Sequence, residues 1–260
     1  MWQNAMVGFV AFCLVASGIY CLNDVRDADS DRIHPEKCRR PIASGKISSR
    51  TGIVVFLLLV CFGFASILLL PESKRTGALI VLVSYFLLNI AYSLKLKDYA
   101  IVDVFIIATG FVLRLVMGGV VCGIWLSPWI VCLTFLLALF LAFAKRRDDL
   151  VLSNNGENTI RRSSTSYNLQ FLDLTLCLTA AITVVSYLMY TISPDVIARL
   201  NSPYLYVTTV FVLGGVIRYL QLTIVDNRSG NPTKLLFRDP FILLTVVCWS
   251  LSFLLIIYLF

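Results

Sequence analysis

Residues 2–31 read WQNAMVGFVAFCLVASGIYCLNDVRDADSD, and the change of character inside this stretch decides how the chain is built. Residues 2–22 are mostly apolar and long enough to cross a bilayer, which takes roughly 20 residues. Directly after them, Asp24, Asp27, Asp29 and Asp31 place four carboxylates within eight residues. A basic run follows at once, with Arg32, His34, Lys37, Arg39 and Arg40, then Pro41 and Gly45. Acids and bases crowded at a membrane boundary are costly to keep unless they bind something. A magnesium–diphosphate satisfies both sets, taking hard oxygens for the metal and cations for the phosphates.

The rest of the 260 residues agrees with a membrane setting. The chain is 58% hydrophobic and 14% charged, against about 25% charged in soluble domains. Apolar stretches near 2–22, 50–70, 77–94, 99–122, 126–144, 169–191, 203–225 and 240–259 predict eight transmembrane helices. The fold class expected is all-α, a polytopic membrane bundle, with residues 1–260 forming a single integral-membrane domain. The eight cysteines form no CxxC pair and read as small buried hydrophobes, not as a disulfide framework or zinc site. The first apolar stretch lacks a basic leader and runs into the acidic motif, so it reads as a span, not a cleaved signal.

Charge fixes an expected orientation. The loops at 23–50, 95–98, 145–168 and 226–239 hold seven, two, five and three Lys or Arg residues. The opposite set, at 71–76, 123–128 and 192–202, holds two, none and one. The positive-inside rule puts the first set in the cytoplasm, on one face with every chemically interesting loop. The same cations also suit topology and anionic-lipid contact alone.

If the helix continues past Asn23, then Asp24, Asp27 and Asp31 lie on one face within about 60° of one another. Asn23 joins them one turn earlier, while Asp29 points elsewhere. A divalent cation relieves the repulsion of three such carboxylates. Pro35 and Pro41 end helix propagation, leaving an irregular basic loop in which Lys37, Arg39 and Arg40 suit phosphate oxygens. His34 is the only histidine. A second constellation, Lys145-Arg146-Arg147-Asp148-Asp149, repeats cations beside carboxylates. A third, Tyr92-Ser93-Leu94-Lys95, offers Lys95 to phosphate and Tyr92 as a hydrogen-bond donor, channel lining or interface anchor. Asp103 is expected to face the same interior. Arg114 and Arg218 lie inside apolar segments, where an arginine needs a polar cavity or a partner. For Arg114 a lipid phosphate and a structural ion pair stay open; Arg218 is close enough to its loop to snorkel.

Together these features resemble the UbiA superfamily of intramembrane prenyltransferases. Asn23, Asp24, Asp27 and Asp31 match its first metal motif, NDxxDxxxD. The continuation from Asp31 to Gly45, with Arg32, His34, Pro35, Lys37, Arg40, Pro41 and Gly45, resembles the branch of decaprenyl-phosphate phosphoribosyltransferases. Tyr92-Ser93 with Lys95 or Lys97, the Gly110–Arg114 element, Lys145–Leu150 with Asp149 in a glutamate position, and Gly230-Asn231-Pro232-Thr233 with Asp239 agree with it. The family pattern has nine spans. This chain, starting Met1-Trp2-Gln3-Asn4, resembles it from the second span onward, so the first helix and any phosphate contact from it are expected to be missing.

The resemblance implies a magnesium-dependent transferase in the cell (inner) membrane, with its active site on the cytoplasmic face. The donor implied is 5-phosphoribosyl 1-diphosphate and the acceptor a polyprenyl phosphate lipid. Asp24, Asp27 and Asp31 are then the metal ligands, with Asp149 beside them as a catalytic carboxylate. Asn23, Lys37, Arg40, Tyr92, Lys95, Arg114, Lys145 and Arg146 are the substrate-binding set. Membrane lipids are partners, nucleic acid is not, and a homo-oligomer stays open. The rival readings are a prenyltransferase joining a prenyl diphosphate to another acceptor, and a non-catalytic transporter or scaffold.

Overall fold

A computed structural model describes residues 1–33, 37–154, 167–227, 235 and 237–259. His34 and the 230–233 motif lie outside the described residues. The helices are α1 (Trp2–Arg26), α2 (Ala28–Arg32), α3 (Ser49–Ser66), α4 (Glu72–Leu94) and α5 (Val102–Cys122). They continue with α6 (Pro128–Asn154), α7 (Leu169–Thr191), α8 (Pro194–Leu200), α9 (Thr209–Ile224) and α10 (Pro240–Leu259). Short 3₁₀ turns occupy Lys37–Arg39, Ile67–Leu69, Leu96–Asp98 and Tyr204–Thr208, and no strand occurs among the described residues. Among the described residues eight helices are long and apolar enough to cross a membrane, all but the short α2 and α8, as the hydropathy predicts. The fold is an all-α, polytopic membrane bundle.

Two boundaries differ from the hydropathy reading, and both bear on chemistry. Helix α1 runs on to Arg26 and α6 to Asn154, so the acidic motif and Lys145–Asp149 begin on helices rather than in loops. Hydropathy marks where apolar residues stop. A helix continues until a breaker intervenes, and neither Pro nor Gly follows α6 until Gly156.

The chain folds as two compact units, Met1–Leu126 and Ser127–Phe260. In the first, α1 packs against α3, α4 and α5, and α4 packs on α5. Its core gathers Ala11, Phe12, Val15, Ile19, Leu82, Tyr85, Met117 and Val121. Ser48 caps α3 by accepting from Thr51 N at 3.1 Å, and α5 ends on Gly123 in the left-handed region, φ 68°. In the second unit α6 packs on α7, and α9 lies against α7 and α10. Asn168 caps α7 through Phe171 N at 2.7 Å. Buried Thr179 and Thr183 donate back to carbonyls one turn earlier, at 2.8 and 2.6 Å, so neither of these two hydroxyls is stranded in the apolar interior.

Arg218 is not left to snorkel. It forms a two-nitrogen contact with Asp239, Nη2 to Oδ2 at 2.7 Å and Nε to Oδ2 at 3.1 Å. Asp239 also caps α10, accepting from Phe241 N and Ile242 N. The Arg218 guanidinium and these backbone donors hold the Asp239 carboxyl below the usual carboxylate range.

The cysteines correct another expectation. They form no disulfide and none is buried; Cys13, Cys61, Cys132 and Cys177 are exposed. In a bilayer the outside of a helix is also an apolar medium, so an apolar residue type does not mark an inward face.

Helix α3 meets α1 through glycine. A Cβ at Gly63 would stand 2.6 Å from Val15 Cγ2 and 3.0 Å from the Ala11 carbonyl oxygen, and backbone cannot yield cheaply. Gly63→Leu is therefore expected to destabilise the folded protein by about 1–3 kcal/mol or more, lowering its melting temperature in detergent. Gly118→Ala, where a Cβ meets nothing within 4 Å, leaves that temperature unchanged or raises it.

Candidate active site

The acidic motif of the first unit straddles a bend. Helix α1 ends at Arg26, Asp27 takes φ −92° and ψ 2°, and α2 resumes at Ala28. The backbone bonds Asp27 N to Asn23 O and Asp31 N to Asp27 O, both 2.8 Å, carry the helical register across the break. Asp24, Asp27 and Asp31 therefore stay on one side. Asp31 is 4% exposed. Asp29 points away and pairs with Arg32 at 2.9 Å in the open.

Two cations neutralise this cluster. The chain turns back after Lys37–Arg39 and brings Arg40 over the motif, where Nη1 lies 2.9 Å from Asp24 Oδ1 and 2.9 Å from Asp31 Oδ2. Lys97 Nζ meets Asp27 Oδ1. Ser93 Oγ meets the Asn23 side-chain amide and lies 2.8 Å from Asn89 O, tying α4 to the motif. Among the described residues no three His, Cys, Asp or Glu side chains converge to hold a metal ion in this conformation. In this conformation one oxygen of each of Asp24, Asp27 and Asp31 is engaged by Arg40 or Lys97. As a donor set the cluster suits a hard divalent cation, with three carboxylates and an amide within two helical turns.

The third constellation divides. Lys95 caps α4 through its backbone N and is exposed, whereas Lys97, presented by the following 3₁₀ turn, reaches the carboxylates. Tyr92 is half-buried near the end of α4 and Lys37 half-buried in its turn. Beyond Lys97 the chain makes a γ-turn at Ile101, φ 68° and ψ −50°, with Val102 N donating to Ala100 O at 2.8 Å. A β-branched residue is strained there. The turn leads into α5, whose first turn carries the fully buried Asp103.

Arg114 is not brought to the carboxylates. Its guanidinium donates to Tyr85 Oη at 3.0 Å and lies 5.0–5.7 Å from the ring centres of Phe12, Tyr85 and Phe111. Phe12 precedes Asn23 by eleven residues, about 16 Å along α1. Of the two alternatives expected for Arg114, the ion pair is not seen among the described residues, where aromatic faces and the Tyr85 hydroxyl hold it. It borders a cavity of about 420 Å³ lined by Phe9, Phe12, Met117 and Gly118.

In the second unit, Lys145 is exposed and Arg146 is 2% exposed, with Nη1 3.0 Å from Asp149 Oδ2. Arg147, absent from the predicted set, is the hub. It donates to Asp173 Oδ1 at 2.6 Å, Thr223 O at 2.7 Å and Asn227 Oδ1 at 2.8 Å. It thereby joins α6 to α7 and caps the carbonyl end of α9. Asp173, a lone acid one turn into an apolar span, was the readable signal, since such an acid needs a partner.

Comparison with known proteins now bears on this geometry. The profile of the UbiA prenyltransferase family matches residues 1–239. The chain belongs to this family. It is 30% identical over 249 residues to the decaprenyl-phosphate phosphoribosyltransferase of Mycolicibacterium smegmatis, covering 94% of this chain and 77% of that one. It is 27% identical to the Corynebacterium glutamicum enzyme of the same name, covering 98% and 76%. Its fold matches that of a UbiA homolog from Archaeoglobus fulgidus solved with DMAPP and Mg2+, at a TM-score of 0.70 and 18% identity, over 100% of this chain and 89% of that one. The protein is thus a membrane transferase of UbiA type.

Arg147→Met strands Asp173 and uncaps α9. Breaking a largely buried pair predicts a loss of about 2 kcal/mol or more, reduced by the partial exposure of Asp173. Thermal unfolding in detergent checks this, and Arg147→Lys is expected to recover only part of it, because one ammonium cannot reproduce the forked contacts.

Proposed function

We propose that the protein transfers the 5-phosphoribosyl group of 5-phosphoribosyl 1-diphosphate to a polyprenyl phosphate, at the cytoplasmic face of the membrane. Residues 1–260 act as one transferase domain in this reading. The observation that carries it is the cluster in which Asp24, Asp27 and Asp31 meet Arg40 and Lys97. Oxygens for a divalent cation and cations for phosphate stand together there. The similarity to two decaprenyl-phosphate phosphoribosyltransferases, over more than three quarters of each, supports the choice of donor and acceptor.

In the reaction an acceptor phosphate oxygen forms a bond to C1 of the ribose. The C1–oxygen bond to diphosphate breaks, and diphosphate leaves with the electron pair. The acceptor is already an anion, so no strong general base is required. Asp24, Asp27 and Asp31 would hold Mg2+, with Asn23 beside them. When bound, Mg2+ neutralises charge developing on the diphosphate. Arg40, Lys97 and Lys37 of the first unit would bind phosphate oxygens; in the second unit Lys145 and Arg146 would serve as further phosphate-binding groups and Asp149 as a catalytic carboxylate. Tyr92 and Lys95 flank the entry, and the Arg114 cavity serves the lipid chain rather than its phosphate. The polyprenyl tail stays in the bilayer while the water-soluble donor arrives from the cytoplasm. The second reading is prenyl transfer, favoured by the fold shared with the A. fulgidus homolog solved with DMAPP.

The test uses purified protein, Mg2+, donor labelled in the 5-phosphate and a polyprenyl phosphate. Label should enter the organic phase only with Mg2+. Asp27→Ala is expected to reduce transfer by at least about 100-fold, on the scale of losing charge stabilisation at a reacting phosphate. No lipid label with the wild-type protein under any divalent cation would contradict the reading.

A further inference from the structure

The three carboxylates of the first unit are already occupied by cations. One guanidinium nitrogen of Arg40 sits 2.9 Å from both Asp24 and Asp31, and Lys97 sits on Asp27. The oxygens these cations hold are the ones a divalent ion would take. The cations are also those that a diphosphate would take. A nitrogen engaged on a carboxylate is withheld from phosphate, and an oxygen engaged on an ammonium is withheld from a metal.

Charge sharpens the point. Three carboxylates and two cations leave the cluster at −1. A divalent ion alone would bring it to +1 at a membrane boundary, and a diphosphate alone would approach a site already negative. Arriving together, the divalent ion takes the carboxylates and offsets much of the diphosphate charge, and the two release both sets of side chains. The required movement is small. The Arg40 side chain is 40% exposed and follows a turn. Lys97 extends from a 3₁₀ turn on a flexible four-carbon stem.

We propose that Arg40 and Lys97 are exchangeable counter-ions: they neutralise Asp24, Asp27 and Asp31 in the metal-free protein and transfer to phosphate oxygens when metal and diphosphate bind. This rests on the reading of the cluster as a metal–diphosphate site. It adds that each ligand raises the affinity for the other, reciprocally, so the site assembles only around the pair.

The test needs no turnover. Mn2+ binding to the purified protein is measured by the paramagnetic resonance of free Mn2+, with and without inorganic diphosphate. Diphosphate should tighten Mn2+ binding by at least about fivefold. Lys97→Gln and Arg40→Gln should each bind Mn2+ alone about fivefold more tightly than wild type and lose most of the diphosphate effect. Lys46→Gln, which removes an exposed cation from the same stretch of sequence, should not. In EDTA, Asp27→Asn should bind diphosphate more tightly than wild type, because Lys97 is released.

The exchange is overturned if both cation variants bind Mn2+ alone no more tightly than wild type. It also falls if Asp27→Asn weakens diphosphate binding in EDTA. Exchange without phosphoribosyl transfer would remove only the substrate assignment. A wild-type protein that binds neither Mn2+ nor diphosphate would remove both.

Discussion

Three carboxylates at the end of a membrane helix repel one another, and the structure of the first unit is arranged around supplying the missing charge. Arg40 must lie over the motif, and the turn at Lys37–Arg39 presents it there. Lys97 must reach Asp27, so α4 ends in a 3₁₀ turn and the chain then bends at the strained Ile101. Ser93 ties Asn23 to α4. An unneutralised Asp31, 4% exposed, would cost several kcal/mol. The same requirement makes the cluster a ready recipient for a metal–diphosphate, which brings its own cation and its own anion.

The second unit solves a similar problem with fewer open choices. Arg147 has one guanidinium and four acceptors, three from the ends of other helices or the turn beyond them. It is committed to architecture. Its neighbour Lys145 is exposed, and Arg146 holds Asp149. One run of three cations thus divides into two phosphate candidates, one exposed and one paired with a carboxylate, and a structural hub.

What the sequence makes legible follows from which forces act locally. Bilayer thickness sets span length, so eight helices are readable from apolar runs. The acidic motif is readable because helical spacing places Asp24, Asp27 and Asp31 on one side, and the bend at Asp27 does not change that. The choice between Lys95 and Lys97 depends on the turn after Leu94, which no periodicity encodes. Arg147 looks like Arg146 in sequence; only packing on α7 and the end of α9 separates them. Arg114 was expected to find a charge and instead finds three aromatic rings contributed largely by other helices. The exposed cysteines show the limit of reading apolar as buried when the surrounding solvent is lipid.

The central claim is that this UbiA-family cluster delivers a sugar phosphate, not a prenyl group, to a lipid phosphate. The direct measurement gives the purified protein equal amounts of 5-phosphoribosyl 1-diphosphate and a prenyl diphosphate, with Mg2+ and a polyprenyl phosphate, and weighs the lipid products by mass spectrometry. The account predicts a polyprenyl phosphate heavier by one phosphoribosyl group, with the prenyl donor unconsumed. Consumption of the prenyl donor with no phosphoribosylated lipid would contradict it.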